Sequence, residues 1–229
     1  MKDNWNGDMI CAIDIETLGL DCEQHDIVEI AIVPLDLNFN ISKNFNPFNL
    51  MIKPVRLENV DWAHLPSYIS KSDVMRYITY GTEQIKAEDM LEEWVGRLGL
   101  KPGKRIVPLG HNYDFDRSFI EKWLGKDLYQ DWFHYIYRDT MRVALTLNDM
   151  ALFHHGEYPF PKVGLQYMKS LCGVPTEGRA HSAIQDAIDT AKVYKRILFM
   201  QNTFLGIQQP QPDQTESNQT SEPSSPQTP

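Results

Sequence analysis

The first apolar run, Met9 to Ile15, is too short for a helix and ends among acids spaced two apart. It predicts a buried strand over 9–15. Side chains alternate along a strand, so Asp14 and Glu16 share one face while Ile13 and Ile15 enter a core on the other. The β-branched run 26–35 predicts a second strand, the Asn-rich 38–47 a hairpin loop, and 48–52 a third strand stopped by Pro54. Residues 55–80 have no sustained period and read as irregular with some helix. Over 82–98, Ile85, Ala87, Met90, Leu91, Trp94, Val95 and Leu98 fall near helical spacing, with acids early and Arg97 late. A short strand over 105–109 leads into Gly110-His111-Asn112, and a helix follows over 115–124. The last strand is expected at 135–138. Further helices are expected at 140–153 with Asp139 as N-cap, at 163–171 closed by Cys172-Gly173, and at 182–199. The last opens on Ser182-Ala-Ile-Gln185, a capping box. Three strands followed by mixed strands and helices predict an α/β layered fold with a mixed central sheet.

Composition narrows the class. The chain has 229 residues, 42% of them hydrophobic and 11% aromatic, which suits a globular domain with a full core. One domain is expected over 8–205. Residues 206–229 are rich in Pro, Gln and Ser and read as a disordered tail. Net charge is -9, and three of those negative charges (Asp213, Glu216, Glu222) lie in the tail, leaving a body of -6. Such a body is no general polyanion binder, so any nucleic-acid site must neutralise phosphate locally. Cys11, Cys22 and Cys172 form no CxxC pair, which argues against a disulfide framework or zinc site and suits a reducing compartment. The polar stretch 1–8 has no apolar core of a signal peptide, and no apolar run is long enough to span a membrane. A soluble, cytoplasmic protein is expected.

Side-by-side carboxylates repel each other and resist desolvation, and a hard divalent cation such as Mg²⁺ or Mn²⁺ relieves both. Two later stretches supply partners for Asp14 and Glu16. One is His111-Asn-Tyr-Asp-Phe-Asp116, a strand end feeding a helix start. The other is His181-Ser-Ala-Ile-Gln-Asp186, in which the capping box places His181 just outside the helix and Asp186 in its second turn. A histidine beside a fixed carboxylate suits activation of a metal-bound water.

Taken together, Asp14-x-Glu16-Thr17, His111-Asn112-x-x-Phe115-Asp116 and His181-x4-Asp186 resemble the DEDDh 3′→5′ exonucleases, a family that includes the epsilon-type proofreading subunit of bacterial DNA polymerase and RNase T. The resemblance covers about residues 8–200 and implies a ribonuclease H-like fold. It implies that Asp14, Glu16 and Asp186 bind a first cation and that Asp14 and Asp116 hold a second, both Mg²⁺ or Mn²⁺. His181 becomes the general base, and Asn112 supports Asp116 and is counted with the substrate-binding residues. Thr17 and Leu18 line the pocket for the 3′-terminal nucleotide, Leu18 standing where the family often has Thr. The implied reaction is hydrolysis of the last phosphodiester with release of nucleoside 5′-monophosphates, by two cations about 4 Å apart. The expected substrate is a single-stranded 3′ end, DNA before RNA, and any proofreading requires a polymerase or replication partner. An exoribonuclease and a non-catalytic scaffold on the same fold are the alternatives.

Several acids and bases have plainer readings. Asp114 is an exposed helix-start acid, Asp139 either a plain helix cap or a residue standing behind the site, with the cap preferred, and His111 structural rather than catalytic. Asp189 is expected on a solvated helix face. His64, His134, His154 and His155 lack ligand-spaced partners. Lys162, Lys169 and Arg179 are candidate phosphate contacts.

Overall fold

Strand β1 (Met9–Thr17) lies at the centre of a five-stranded sheet of order β3-β2-β1-β4-β5. A computed structural model describes residues 6–63, 65, 69–154, 156–175 and 182–204. β2 (Ile27–Pro34) and β3 (Phe48–Met51) continue the sheet antiparallel on one side of β1, and β4 (Ile106–Gly110) and β5 (Arg138–Asp139) continue it parallel on the other. The sheet is therefore mixed, as expected. β1, β2 and β4 are almost continuously buried, which fits their Val- and Ile-rich sequences and helical cover on both faces.

The odd positions of β1 (Met9, Cys11, Ile13, Ile15) join one core with α2 (Gln84–Arg97), α3 (Tyr113–Leu124) and α4 (Lys126–Trp132). Ile10 and Ala12, on the face of Asp14 and Glu16, pack instead on α7 (Ala183–Phe204). The small residues Ala183, Ala187 and Ala191 let that helix approach the sheet closely. Behind α7, α5 (Thr140–Phe153) and α6 (Leu165–Leu171) complete a further core through Leu147, Met168, Val193 and Ile197.

Four expectations change. Residues 71–80 form a regular helix, α1 (Lys71–Tyr80), opened by a reciprocal capping box between Ser70 and Asp73. In α2 the buried face is Ala87, Leu91 and Trp94, while Ile85 is 80% exposed and Met90 is exposed as well, so the apolar stripe is narrower than its composition implied. α4 fills the stretch before β5, which is two residues long rather than the four expected at 135–138. Asp189 is fully buried, not solvated, because α6 supplies its counter-charge: Lys169, 2% exposed, is ion-paired with it. That same pairing removes Lys169 as a phosphate contact. The 206–229 tail, His64, His155 and Arg179 lie outside the described residues. Among the described residues, no helix is long and apolar enough to cross a membrane.

Candidate active site

The acids converge at the end of β1. Asp14, Glu16 and Asp186 each offer a carboxylate oxygen, and these oxygens all lie within 4.8 Å of one another. β1 brings the first two, through its two-residue period. Asp186 comes from the first turn of α7 rather than the second as expected, and its N–H and that of Gln185 bond to the Ser182 carbonyl at 3.0 and 2.9 Å. Glu16 and Asp186 are buried, while Asp14 keeps part of its surface open.

Asp116 is fixed to the same strand end. The β1–β4 ladder stops at the pair Ala12–Leu109, so beyond it the Ile15 N–H needs another acceptor, and Asp116 Oδ1 accepts it at 3.1 Å. Two local features aim α3 for this contact. Gly110 ends β4 where a Cβ would come within 2.7 Å of Tyr113 Cβ, so the turn requires glycine's lack of a side chain. Asn112 then takes the left-handed conformation (φ 63°), which asparagine tolerates better than most residues.

The Asn112 side chain is exposed and makes no capping hydrogen bond, so what it contributes next to Asp116 is its backbone conformation. Asp139 contributes more than a cap. Its Oδ1 accepts the Arg142 N–H at the start of α5 (3.1 Å), and its Oδ2 accepts the Tyr113 N–H at the start of α3 (2.7 Å). It therefore clamps the starts of α3 and α5 together, and it is 4% exposed. His111 is structural as expected, its Nδ1 lying 2.7 Å from Thr140 Oγ1. Asp114 stays outside the cluster, ion-paired with Arg142 and accepting from Tyr137 Oη at 2.7 Å.

Thr17 and Leu18 follow the acids directly. The Thr17 hydroxyl donates to the Gly19 carbonyl at 2.7 Å. Leu18 is buried among Val28, Val60, Ile69, Val74 and Tyr77. Its side chain is therefore part of a small core, and what it presents beside the acids is mainly backbone. His181 lies outside the described residues.

Sequence reasoning passed over Glu29. In the antiparallel β1–β2 register it stands directly opposite Glu16, on the same face, and it is buried. The signal was available: a lone acid in the apolar strand Ile-Val-Glu-Ile-Ala-Ile-Val has the same character as Asp14 and Glu16 in β1.

This crowding of carboxylates has an electrostatic consequence. Burial, then the charges of Asp116, Glu16, Asp186 and Glu29, push the Asp14 carboxyl well above the usual carboxylate range. Asp116 is pushed well up too, by burial first and by Asp139 and Glu16, against the backbone hydrogen bonds that lower it. Such a cluster costs stability as a set of bare anions. A divalent cation with a preference for oxygen ligands offsets that cost, so the donor set fits Mg²⁺ or Mn²⁺.

A mixed sheet flanked by helices, with four acids meeting at the end of its central strand, defines a ribonuclease H-like nuclease fold. Residues 11–194 match the model of the RNase T exonuclease family, and the chain belongs to that family. A PolC-type DNA polymerase III from Thermotoga petrophila is 27% identical over 190 residues, 82% of this chain but 12% of the polymerase. The chain thus spans only a small part of that relative's length. An oligoribonuclease from Marinobacter nauticus is 30% identical over 138 residues, 60% of this chain and 74% of the oligoribonuclease. Among solved structures, E. coli Exonuclease I in complex with a dT13 oligonucleotide shares the fold with a TM-score of 0.60 at 17% identity, over 87% of this chain and 43% of that one.

Proposed function

We propose that the protein is a metal-dependent 3′→5′ exonuclease acting on single-stranded nucleic acid and releasing nucleoside 5′-monophosphates. The observation that carries this reading is the convergence of Asp14, Glu16 and Asp186 closely enough to share one cation, in a chain of the exonuclease family. Asp14, Glu16 and Asp186 would hold one cation, and Asp14 with Asp116 a second. Bound there, the cations supply Lewis acidity for the attacking water and the departing 3′-oxygen. His181 takes the proton from that water. Thr17 and Leu18 receive the terminal nucleotide, through backbone groups and the Thr17 hydroxyl. Asn112, exposed at the start of α3, is a candidate for contact with substrate.

The DNA preference expected from the sequence rests on the likeness to the proofreading subunit, and the PolC-type relative points to a polymerase context. The RNA reading is favoured by the oligoribonuclease, most of whose length this chain matches. Matched DNA and RNA strands of one sequence, digested side by side with Mg²⁺, decide between them. Release of 5′-monophosphates from the 3′ end of either is expected. No release from both, with the protein folded and Mg²⁺ or Mn²⁺ present, contradicts the proposal.

A further inference from the structure

Glu29 has no place in the catalytic scheme above, yet it is buried in the middle of it. Cross-strand partners on one face of an antiparallel pair have Cβ atoms about 5 Å apart, and like charges there are destabilising. Glu16 and Glu29 are such partners. Something must direct Glu29 away from Glu16, or the two carboxylates compete for the same space and the same cation.

The structure supplies a tether. Tyr77 of α1, 4% exposed, donates its phenolic hydrogen to Glu29 Oε2 at 3.3 Å. Its helix is anchored at both ends. At the start, the Ser70 hydroxyl accepts the Asp73 N–H at 3.2 Å, and the Asp73 carboxylate accepts the Ser70 N–H at 3.0 Å. At the end, the Gly81 N–H donates to the Tyr77 carbonyl at 2.9 Å. Thr82 is stitched to the end of β3, its N–H to the Met51 carbonyl and its carbonyl to the Lys53 N–H, both at 2.9 Å. Gly81 permits this approach: a Cβ there would lie 2.4 Å from the Tyr77 carbonyl oxygen and 2.6 Å from the Lys53 nitrogen. Val74 and Tyr77 pack with Leu18 and Val28, so α1 sits against the ends of β1 and β2 beside the acids. Arg76 lies over the Tyr77 ring, 5.5 Å from its centroid.

We infer that Tyr77 is a positioning residue for the metal site: by holding Glu29 towards α1, it leaves the Glu16 carboxylate directed at the cation shared with Asp14 and Asp186. The phenol stays a donor at every working pH, since burial, with Glu29 and Glu16 adding to it, pushes it up to about 12. Tyr77 itself touches neither cation nor substrate. It acts through Glu29 on Glu16. The inference rests on the metal-site reading proposed above, but its test does not depend on turnover.

The test is Mn²⁺ binding, read by electron paramagnetic resonance and calorimetry on the full chain. It compares the wild type, Tyr77→Phe, Glu29→Gln and the double variant. Tyr77→Phe removes one oxygen atom and keeps the ring that packs with Leu18 and Val74. It is expected to weaken Mn²⁺ binding by roughly tenfold, the scale of lost support behind a ligand. In turnover the same variant needs more metal, and saturating metal recovers its rate. In the Glu29→Gln background the Phe substitution is expected to change nothing, because the charge that Tyr77 restrains is gone. Wild-type affinity in Tyr77→Phe overturns the inference, as does an equal loss in both backgrounds. If Tyr77→Phe does not fold, Glu29→Gln alone carries the test. Retained Mn²⁺ affinity supports a restrained bystander, and a large loss makes Glu29 itself a ligand and overturns the inference. No Mn²⁺ binding by the wild type removes the metal-site reading together with the inference.

Discussion

The N–H of Ile15 and the carboxylate of Asp116, 101 positions apart in the chain, meet at 3.1 Å. Ile15 is the residue between the two acids of β1, so this bond sets α3 against the strand at the point where the cluster forms. It is possible because β4 pairs with β1 only as far as Ala12. The parallel ladder ends early, and a helix-borne carboxylate takes over its last donor.

Asp116 therefore has a structural role and a charge role, which substitution separates. Asp116→Asn keeps an oxygen for the Ile15 N–H, so its melting temperature should stay near wild type. Its activity should fall at least about 100-fold, because the change is in the set of groups that hold cations rather than behind it. Asp116→Ala should lose the same activity and also unfold more easily, the cost being about 1–3 kcal/mol for a buried donor left without its partner. Calorimetry and a nucleotide-release assay on both variants check the pair of outcomes.

The raised acids predict an unusual pH dependence for the metal-free protein. Asp14 and Asp116 titrate higher in the folded state than in the unfolded chain, where an aspartate titrates at about 3.9. Their protonation thus stabilises the fold below that pH, and the contribution is lost as pH rises towards the folded values. Asp26 and Asp36 are shifted the other way, so their contribution is present above about 3.9 and does not oppose the trend. Metal-free protein should melt at lower temperature as pH rises above about 4, and Asp14→Asn should show a shallower slope. Mg²⁺ or Mn²⁺ should restore stability most at the higher pH, by about 2.7 kcal/mol at a concentration 100 times its dissociation constant. Thermal melts across pH, with and without metal, report both effects.

Lys169 and Asp189 form a buried ion pair that ties α6 to α7, and Gln185 Nε2 adds a hydrogen bond to Asp189 Oδ1 at 2.9 Å. Removing one partner of such a pair leaves a buried charge uncompensated. Lys169→Ala should cost about 3–5 kcal/mol of stability, whereas replacing both partners with apolar residues of similar volume should cost much less. Denaturant unfolding of the single and double variants measures the difference.

Much of the fold was legible because the chain signals it locally. Apolar runs broken by turn residues marked β1 to β4, and the position of Asp139 before Thr140 marked the start of α5. The acids of the site were legible for the same reason, since a charge inside an apolar strand or at a helix start stands out. What escaped was set by pairing between distant segments. Glu29 matters only because the register places it across from Glu16. Asp189 looks like a surface acid until Lys169 arrives from α6. α1 was missed although Ser70 and Asp73 spell out its cap, because its buried face rests on just two residues of its own, Val74 and Tyr77. The Leu18 side chain fills the core that α1 helps to close, a placement that depends on the distant residues Val60, Ile69, Val74 and Tyr77.

His181 is assigned the base's role, and its titration should appear in the rate. With saturating metal, the wild-type rate should rise with pH through roughly 6.5, the ordinary value for histidine. His181→Asn should be slower by about 10²–10⁴-fold, with that rise absent. A pH–rate profile that keeps its shape in the variant takes the base's role from His181.

The central claim is that the acids at the end of β1 and the start of α7 are the hydrolytic centre. Its most direct test follows a 5′-labelled single-stranded oligonucleotide with wild type, Asp14→Ala and Asp186→Ala in Mg²⁺ or Mn²⁺, with circular dichroism confirming that each is folded. The account predicts a ladder shortened from the 3′ end for the wild type, its loss in chelator, and no shortening by either folded variant. Wild-type shortening by folded Asp14→Ala or Asp186→Ala would contradict it.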